Sequence, residues 1–309
     1  METIIDPIDR KLLISELKQE YFVKATQSGN NKIFIVDALS SPHLMQEIGR
    51  LRELTFRAAG GGTGKASDVD EFDLMDPPFR QLIVWDPDAH EIVGGYRFLK
   101  GRAWKPADAG SVLTPTAELF NFSEQFLQEY WPYTIELGRS FVQPAYQPSN
   151  DARRGMFALD NIWNGLGAII IQNPDVRYFF GKITMYTQFN PYARDLILIF
   201  LRKFFPDPDK LVRPLHPLPC WHDEAMLEAF FDAETYEENY RILVQEVRKQ
   251  NENIPPLVNA YMNLSSTMKS FGTANNPHFG NVEETGILVT IADIYPSKKE
   301  RHLAGNNAV

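Results

Sequence analysis

The chain has 309 residues, 44% hydrophobic and 12% aromatic, which is enough apolar side chain for a large core and far from the composition of a disordered chain. A net charge of −9 argues against nonspecific nucleic-acid binding, which draws on a positive field. The single cysteine, Cys220, excludes a disulfide framework and a multi-cysteine metal site, so neither a nucleic-acid partner nor a metal is expected.

The opening METIIDPIDRKLLISELKQEYF carries acidic side chains from position 2 and has no uninterrupted apolar run. Neither a signal peptide nor a spanning helix is expected there, and the expected location is the cytoplasm. Residues 1–30 read as a helical extension, with residues 31–309 forming one domain. NKIFIVDAL (31–39) predicts a strand, and SPHLMQEIGRLRELTFRAA (41–59) predicts a serine-capped helix with Leu44, Ile48, Leu51, Leu54 and Phe56 near helical spacing. RQLIVWDPDAHEIVGGYRFLKG (80–101) holds two apolar runs around an Asp-Pro-Asp turn, a hairpin signal.

A helix is expected over 117–130, a strand over TIELGRSFV (134–142), a helix over 151–173 and a strand over YFFGKITMY (178–186). PYARDLILIFLRKFF (191–205) reads as a strongly apolar helix opened by Pro191. One or two amphipathic helices occupy 222–251, and TGILVTIADI (285–294) is a late strand. This order predicts an α/β fold with a mixed central sheet flanked by helices, interrupted by a helical insertion over about 206–284 before the last strand. The helix at 191–205 is too short to span a bilayer. It is either buried core or an interfacial surface giving peripheral contact with the inner membrane face.

GGGTGK (60–65) lacks the first glycine, the Ser or Thr after the lysine and the preceding strand of a nucleotide-binding loop, so it reads as a glycine-rich loop. The informative feature is charge inside apolar strands. Glu136 and Arg139 lie in TIELGRSFV and Arg97 in the preceding strand, while Asp70 and Asp73 of DVDEFD follow the glycine loop. Glu136 and Arg139 point to opposite faces of a regular strand unless a bulge at Gly138 re-aims one of them. The set reads either as an ion-pair network closing the loop over the sheet or as a cleft whose carboxylate receives a proton.

Arg52-x-x-x-Phe56, Asp70-Glu-Phe-Asp73, Arg97 in a strand and Glu136-x-Gly138-Arg139 together resemble the acyl-homoserine-lactone synthases. They resemble more closely the amino-acid N-acyltransferases that make ornithine and glycine lipids, within the GNAT fold. That likeness continues through residues 149–186 and 254–294. The chain departs from the lactone synthases at GGGTGK, where they carry an aromatic residue.

The resemblance implies transfer of a β-hydroxy fatty acyl group from acyl carrier protein, or from acyl-CoA, to the α-amine of glycine or ornithine, the first step of aminolipid synthesis. It implies Glu136 as the base, with Arg97 and Arg139 either gripping the substrate carboxylate or pairing with the loop. It further implies backbone N–H groups near Phe141 and Val142 for the oxyanion, and Arg153, Arg154 and Gly155 for the phosphopantetheine. Arg52, Phe56, Asp70 and Asp73 form the substrate and loop network. Lys182 joins Arg153 and Arg154 in the expected docking face for the carrier. The other readings are a GNAT acetyltransferase acting on a small amine with acyl-CoA, and a non-catalytic, membrane-associated, haemolysin-like protein.

Overall fold

A computed structural model describes residues 1–101, 114–147 and 157–303. In chain order its regular elements are α1 (Arg10–Glu16), β1 (Phe22–Ala25), β2 (Lys32–Val36), α2 (Pro42–Ala58), α3 (Glu71–Leu74), β3 (Arg80–Asp86) and β4 (Glu91–Lys100). There follow β5 (Phe120–Phe122), β6 (Thr134–Val142), α4 (Ala158–Gln172), β7 (Tyr178–Met185), α5 (Pro191–Phe204), β8 (Val212–Pro214) and α6 (Glu224–Glu228). The chain ends with α7 (Tyr236–Lys249), α8 (Pro256–Met262), β9 (Lys269–Asn276), β10 (Val282–Thr290) and α9 (Pro296–Leu303). Two compact units result, one from Met1–Trp104, Tyr133–Val176 and Tyr295–Val309, the other from Lys105–Pro132 and Arg177–Ile294.

In the first unit β1, β2, β3, β4 and β6 pair in that order, each antiparallel to the next. Residues 1–30, expected as a helical extension, hold one seven-residue helix and also supply β1. The two faces of the sheet are read from adjacent residues of β3, which point opposite ways. Gln81 accepts a hydrogen bond from Arg52 of α2. On the other face the Leu82 side chain packs so closely on Gly165 of α4 that a Cβ there would lie 2.6 Å from it. The strands are close at the Gly94-Gly95 pair, where a Cβ on Gly94 would stand 2.3 Å from the Phe141 carbonyl oxygen. Only glycine permits that approach.

In the second unit β10 lies between β7 and β9, antiparallel to both, and β5 pairs with β8 in a short separate ladder. Helix α5 begins at Asn190, whose side chain accepts from the Tyr192 and Ala193 amides, with Pro191 in the first turn. Leu196, Ile197, Ile199 and Phe200 are fully buried and Leu201 is 1% exposed, so this helix is core and not an interfacial surface. The stretch expected as a helix over 117–130 forms β5 and then a π-helical turn, Phe126–Tyr130. Its aromatic residues Phe122 and Phe126 pack on Phe180 of β7, and on the Trp131 that follows, instead of along a helical stripe. The expected insertion over about 206–284 is not helical throughout, because it contains β8 and β9 as well as α6, α7 and α8.

Candidate active site

The site is built on one face of the first unit's sheet. Arg97 of β4 is paired in register with Gln81 of β3 and with Gly138 of β6, and Leu99 with Glu136. Cross-strand partners share a face, and so do alternate residues of one strand. Gln81, Arg97, Leu99, Glu136 and Gly138 therefore line the face that α2 covers. Glu136 is 2% exposed there, next to the apolar cluster of Phe72, Phe79 and Leu99.

Between Gly95 and Arg97 the register shifts, with Gly95 opposite Phe141 and Arg97 opposite Gly138. One extra residue is thus held in β6, a bulge. It sits at Arg139 and Ser140, one residue beyond the Gly138 expected, and Arg139 takes a left-handed backbone, φ 52°. That conformation costs a non-glycine residue about 1–2 kcal/mol, and it re-aims the Arg139 side chain. Arg139 Nε is 3.0 Å from Asp68 Oδ2, and its terminal nitrogen is 3.7 Å from Asp70.

Three aspartates answer three arginines. Asp70 caps α3 by accepting from the Phe72 and Asp73 amides, in a capping box completed by Asp73. This cap turns both carboxylates toward the sheet. Arg97 lies 2.6 Å from Asp70 and 3.1 Å from Asp73, and Arg52 of α2 lies 3.1 Å from Asp73. Gln81 ties the pair together, accepting from Arg52 and donating to Asp73 at 2.9 Å. The rings of Phe72 and Phe79 stand over the Arg97 guanidinium at 5.8 and 5.1 Å.

Burial by itself would raise the Asp73 carboxyl, but Arg52 and Arg97 more than reverse that and hold it at about 2. Burial opposes the Arg97 charge too, yet Asp73 and Asp70 keep its pKa above the usual guanidinium range. At Asp68 burial prevails over the three arginines and pushes the carboxyl up.

The loop that delivers Asp68 and Asp70 is fastened to α2. The buried Glu53 carboxylate accepts from the Thr63 amide at 2.9 Å, the Thr63 hydroxyl at 2.7 Å, the Gly64 amide at 2.8 Å and Arg57 Nε at 2.7 Å. Gly60, Gly62 and Gly64 all have positive φ, which lets the amides converge. The GGGTGK amides at positions 63 and 64 thus already hold an anion, the protein's own carboxylate, and are not open to a phosphate.

Of the residues singled out from sequence, Arg52, Asp70, Asp73, Arg97 and Arg139 come together in this cluster, and Glu136 shares its sheet face. Phe56 is buried on α2 at 6% exposure. Phe141 and Val142 continue β6 beyond the bulge, opposite Gly95 and Gly94. Arg153, Arg154 and Gly155 lie outside the described residues. Lys182, expected in the docking face, has a side chain 13% exposed and held 2.9 Å from Glu284. Burial pushes the Cys220 thiol up to about 11, which suits an inert side chain. Three participants escaped the sequence reading. Asp68 precedes Asp70 without a helical spacing, Gln81 is a neutral residue in an apolar run, and Glu53 sits among other charges on α2.

The acetyltransferase (GNAT) domain family matches residues 51–154, which include the C-terminal half of α2, the charge cluster and β6. A glycine N(alpha)-acyltransferase of Phocaeicola vulgatus is 52% identical over 98% of this chain and 93% of its own length. A protein of the same name from Bacteroides thetaiotaomicron is 50% identical over 98% of this chain and 90% of its own. The structure of a CoA-dependent acyl-homoserine lactone synthase, BjaI, with SAM and isopentyl-CoA covers 52% of this chain and 70% of its own at 16% identity and a TM-score of 0.29. That likeness is too loose to carry an argument. Two relatives aligned almost end to end at half identity are decisive, and the chain belongs to the GNAT-fold amino-acid N-acyltransferases.

Proposed function

We propose that the protein acylates the α-amine of glycine with a fatty acyl group carried as a thioester by acyl carrier protein, as the first step of aminolipid synthesis. The observation that carries the acceptor is the alignment with two glycine N(alpha)-acyltransferases over 98% of this chain. The donor follows from the resemblance of the charged motifs to those of lipid-forming acyltransferases, with acyl-CoA as the other thioester to be tried.

The chemistry asks little of the protein. Glycine's amine attacks only when neutral, so a carboxylate must take its proton, and Glu136 is the buried carboxylate on the cluster's sheet face. The amine nitrogen first bonds to the thioester carbonyl carbon, and collapse of that adduct breaks the C–S bond; of the two protons the ammonium group gives up, one passes through the carboxylate to solvent and the other to the phosphopantetheine thiolate. In the tetrahedral intermediate the oxyanion needs donors, for which the backbone N–H groups at Phe141 and Val142 are the candidates. The cluster arginines spend contacts on aspartates, so Arg97 and Arg139 act on a substrate carboxylate only through their remaining N–H groups. The pantetheine arm falls to the segment holding Arg153, Arg154 and Gly155.

The test is a reconstituted assay. Purified protein is given glycine, ornithine or no acceptor, with β-hydroxyacyl carrier protein or the matching acyl-CoA, and products are read by mass spectrometry. N-acylglycine formed from the carrier thioester is the expected result. Turnover with ornithine alone would overturn the acceptor, and turnover with acyl-CoA alone would overturn the donor.

A further inference from the structure

Residues 1–8 precede α1 and belong to neither a helix nor a strand, so their backbone polar groups must find partners elsewhere. They find them on the loop between α2 and α3. The Glu2 amide donates to the Gly64 carbonyl at 2.8 Å, and the Ile5 amide to the Ala66 carbonyl at 3.1 Å. In return the Ala66 amide donates to the Glu2 carboxylate at 2.8 Å. Arg57 of α2 closes the arrangement, donating to the Glu2 carbonyl at 2.7 Å and to the Lys65 carbonyl, while its Nε holds Glu53. At its other end the segment is pinned to α2, where the Ile8 amide donates to Glu47 at 3.1 Å.

With these bonds the loop is held at each residue from Thr63 to Ala66. Glu53 takes the Thr63 and Gly64 amides, Arg57 the Lys65 carbonyl, and residues 2 and 5 the groups of Gly64 and Ala66. Two residues on, the Asp68 amide donates to the Gly49 carbonyl of α2 at 3.0 Å. The loop lies so close there that a Cβ on Gly49 would stand 2.3 Å from Ser67 Oγ. The chain held in this way runs directly into Asp68 and Asp70, which reach Arg139 and Arg97. No residue of 1–8 is buried, so the segment adds little to the core. Its hydrogen bonds face water, are individually weak, and can open without unfolding the sheet.

We propose that residues 1–8 are a strap that keeps the aspartate loop in the form that binds the acceptor amino acid, with Glu2 and Arg57 as its positioning residues. They act through Asp68 and Asp70, which set Arg139 and Arg97. Glycine as the acceptor rests on the function proposed above. The strap's effect on kinetics has a definite form. A loop that is open part of the time leaves only a fraction of molecules able to bind glycine, so apparent affinity falls by that fraction while turnover at saturating glycine is kept. Loss of folded protein does the reverse, lowering the maximal rate at an unchanged KM.

The experiment uses the full chain and its Glu2→Ala, Glu2→Gln and Arg57→Gln variants. Acyl transfer is measured against glycine at saturating thioester, and amide hydrogen exchange on the same preparations. Glu2→Ala removes the acceptor for the Ala66 amide and should raise the glycine KM about threefold with kcat kept. Arg57→Gln gives up contacts to two carbonyls and should raise it about tenfold. Glu2→Gln keeps a side-chain oxygen for the Ala66 N–H and should restore most of the parent's KM. Exchange at the Asp68 amide, which the strap does not touch, should quicken severalfold in Glu2→Ala, while the Thr63 and Gly64 amides held by Glu53 stay protected. The parent's glycine KM in both Glu2→Ala and Arg57→Gln, a lower kcat at unchanged KM, or Asp68 exchange at the parent's rate would overturn the strap. A higher KM for the thioester in place of glycine would overturn its assignment to the acceptor. A parent that acylates no amino acid, with Asp68 exchange quickened in Glu2→Ala, overturns the transferase proposal and leaves the strap's hold on the loop standing.

Discussion

Arg97 and Gly138 are cross-strand partners, and a Cβ on Gly138 would stand 3.7 Å from Arg97 Nε and 3.8 Å from its Cγ. Both distances are ordinary van der Waals contact, and Gly138 has no positive φ. The glycine of Glu136-x-Gly138-Arg139 is therefore not demanded by the fold. Gly138→Ala should leave stability within about 1 kcal/mol of the parent. Gly94→Ala, whose Cβ would meet the Phe141 carbonyl oxygen at 2.3 Å, should cost more, about 2–3 kcal/mol or beyond, because backbone must move. Denaturant titrations of the two variants check the contrast, and a loss at 138 as large as at 94 would refute it.

Asp73 serves two buried arginines, Arg52 and Arg97. Asp73→Asn leaves both short of a charge in a fully buried site, and destabilisation of about 3–5 kcal/mol is expected. The pH dependence has a definite sign. With its folded pKa held at about 2, below the unfolded value of about 3.9, Asp73 contributes stability that is fully present above about pH 4 and is lost as pH falls through about 2. The variant should therefore differ most from the parent at neutral pH and converge on it in acid. Parallel urea titrations from pH 7 to pH 2 would reveal the convergence or its absence.

Much of this was legible in the sequence because the hairpin, β6, α2 and α5 each carry a strong periodic or apolar signal. The arginines and aspartates were legible for a different reason, since charge inside an apolar run calls for a partner. What could not be read was set by tertiary contact. Strand β9, KSFGTANN, is polar and glycine-containing and is a strand because β10 pairs with it. The π-helical turn at Phe126–Tyr130 follows from aromatic packing on Phe180, which no local spacing announces. The bulge lay one residue past the glycine because Asp68, a residue with no periodic mark, holds Arg139.

Glu53 organises the glycine loop through four donors, two on Thr63 and one each from Gly64 and Arg57. Burial by itself would raise its carboxyl, but these hydrogen bonds keep it below the usual range. Because every partner is a donor, Glu53→Gln is no conservative change, and its amide must oppose one donor pair. A loss of about 2–3 kcal/mol is expected, with faster hydrogen exchange at the Thr63 and Gly64 amides. Protection at those amides equal to the parent's would show that the loop holds its shape without the carboxylate.

Glu136→Gln separates the two readings of a charged residue inside an apolar strand. Each arginine of the cluster has an aspartate, Arg52 with Asp73, Arg97 with Asp70 and Asp73, and Arg139 with Asp68. Removing the Glu136 charge therefore leaves none of them bare, and the isosteric amide preserves the shape of a site that is 2% exposed. Folding should survive with little change in Tm. A base that cannot accept a proton should lower single-turnover acyl transfer by about two to four orders of magnitude. Raising the pH, which supplies neutral amine without a base, should recover part of the rate in the variant and less in the parent. If Glu136 serves only the cluster, the same change instead removes about 3–5 kcal/mol of stability and leaves the rate per folded molecule intact. Melting curves and single-turnover rates on one preparation, across pH, distinguish these outcomes, and a stable variant with the parent's rate would refute both.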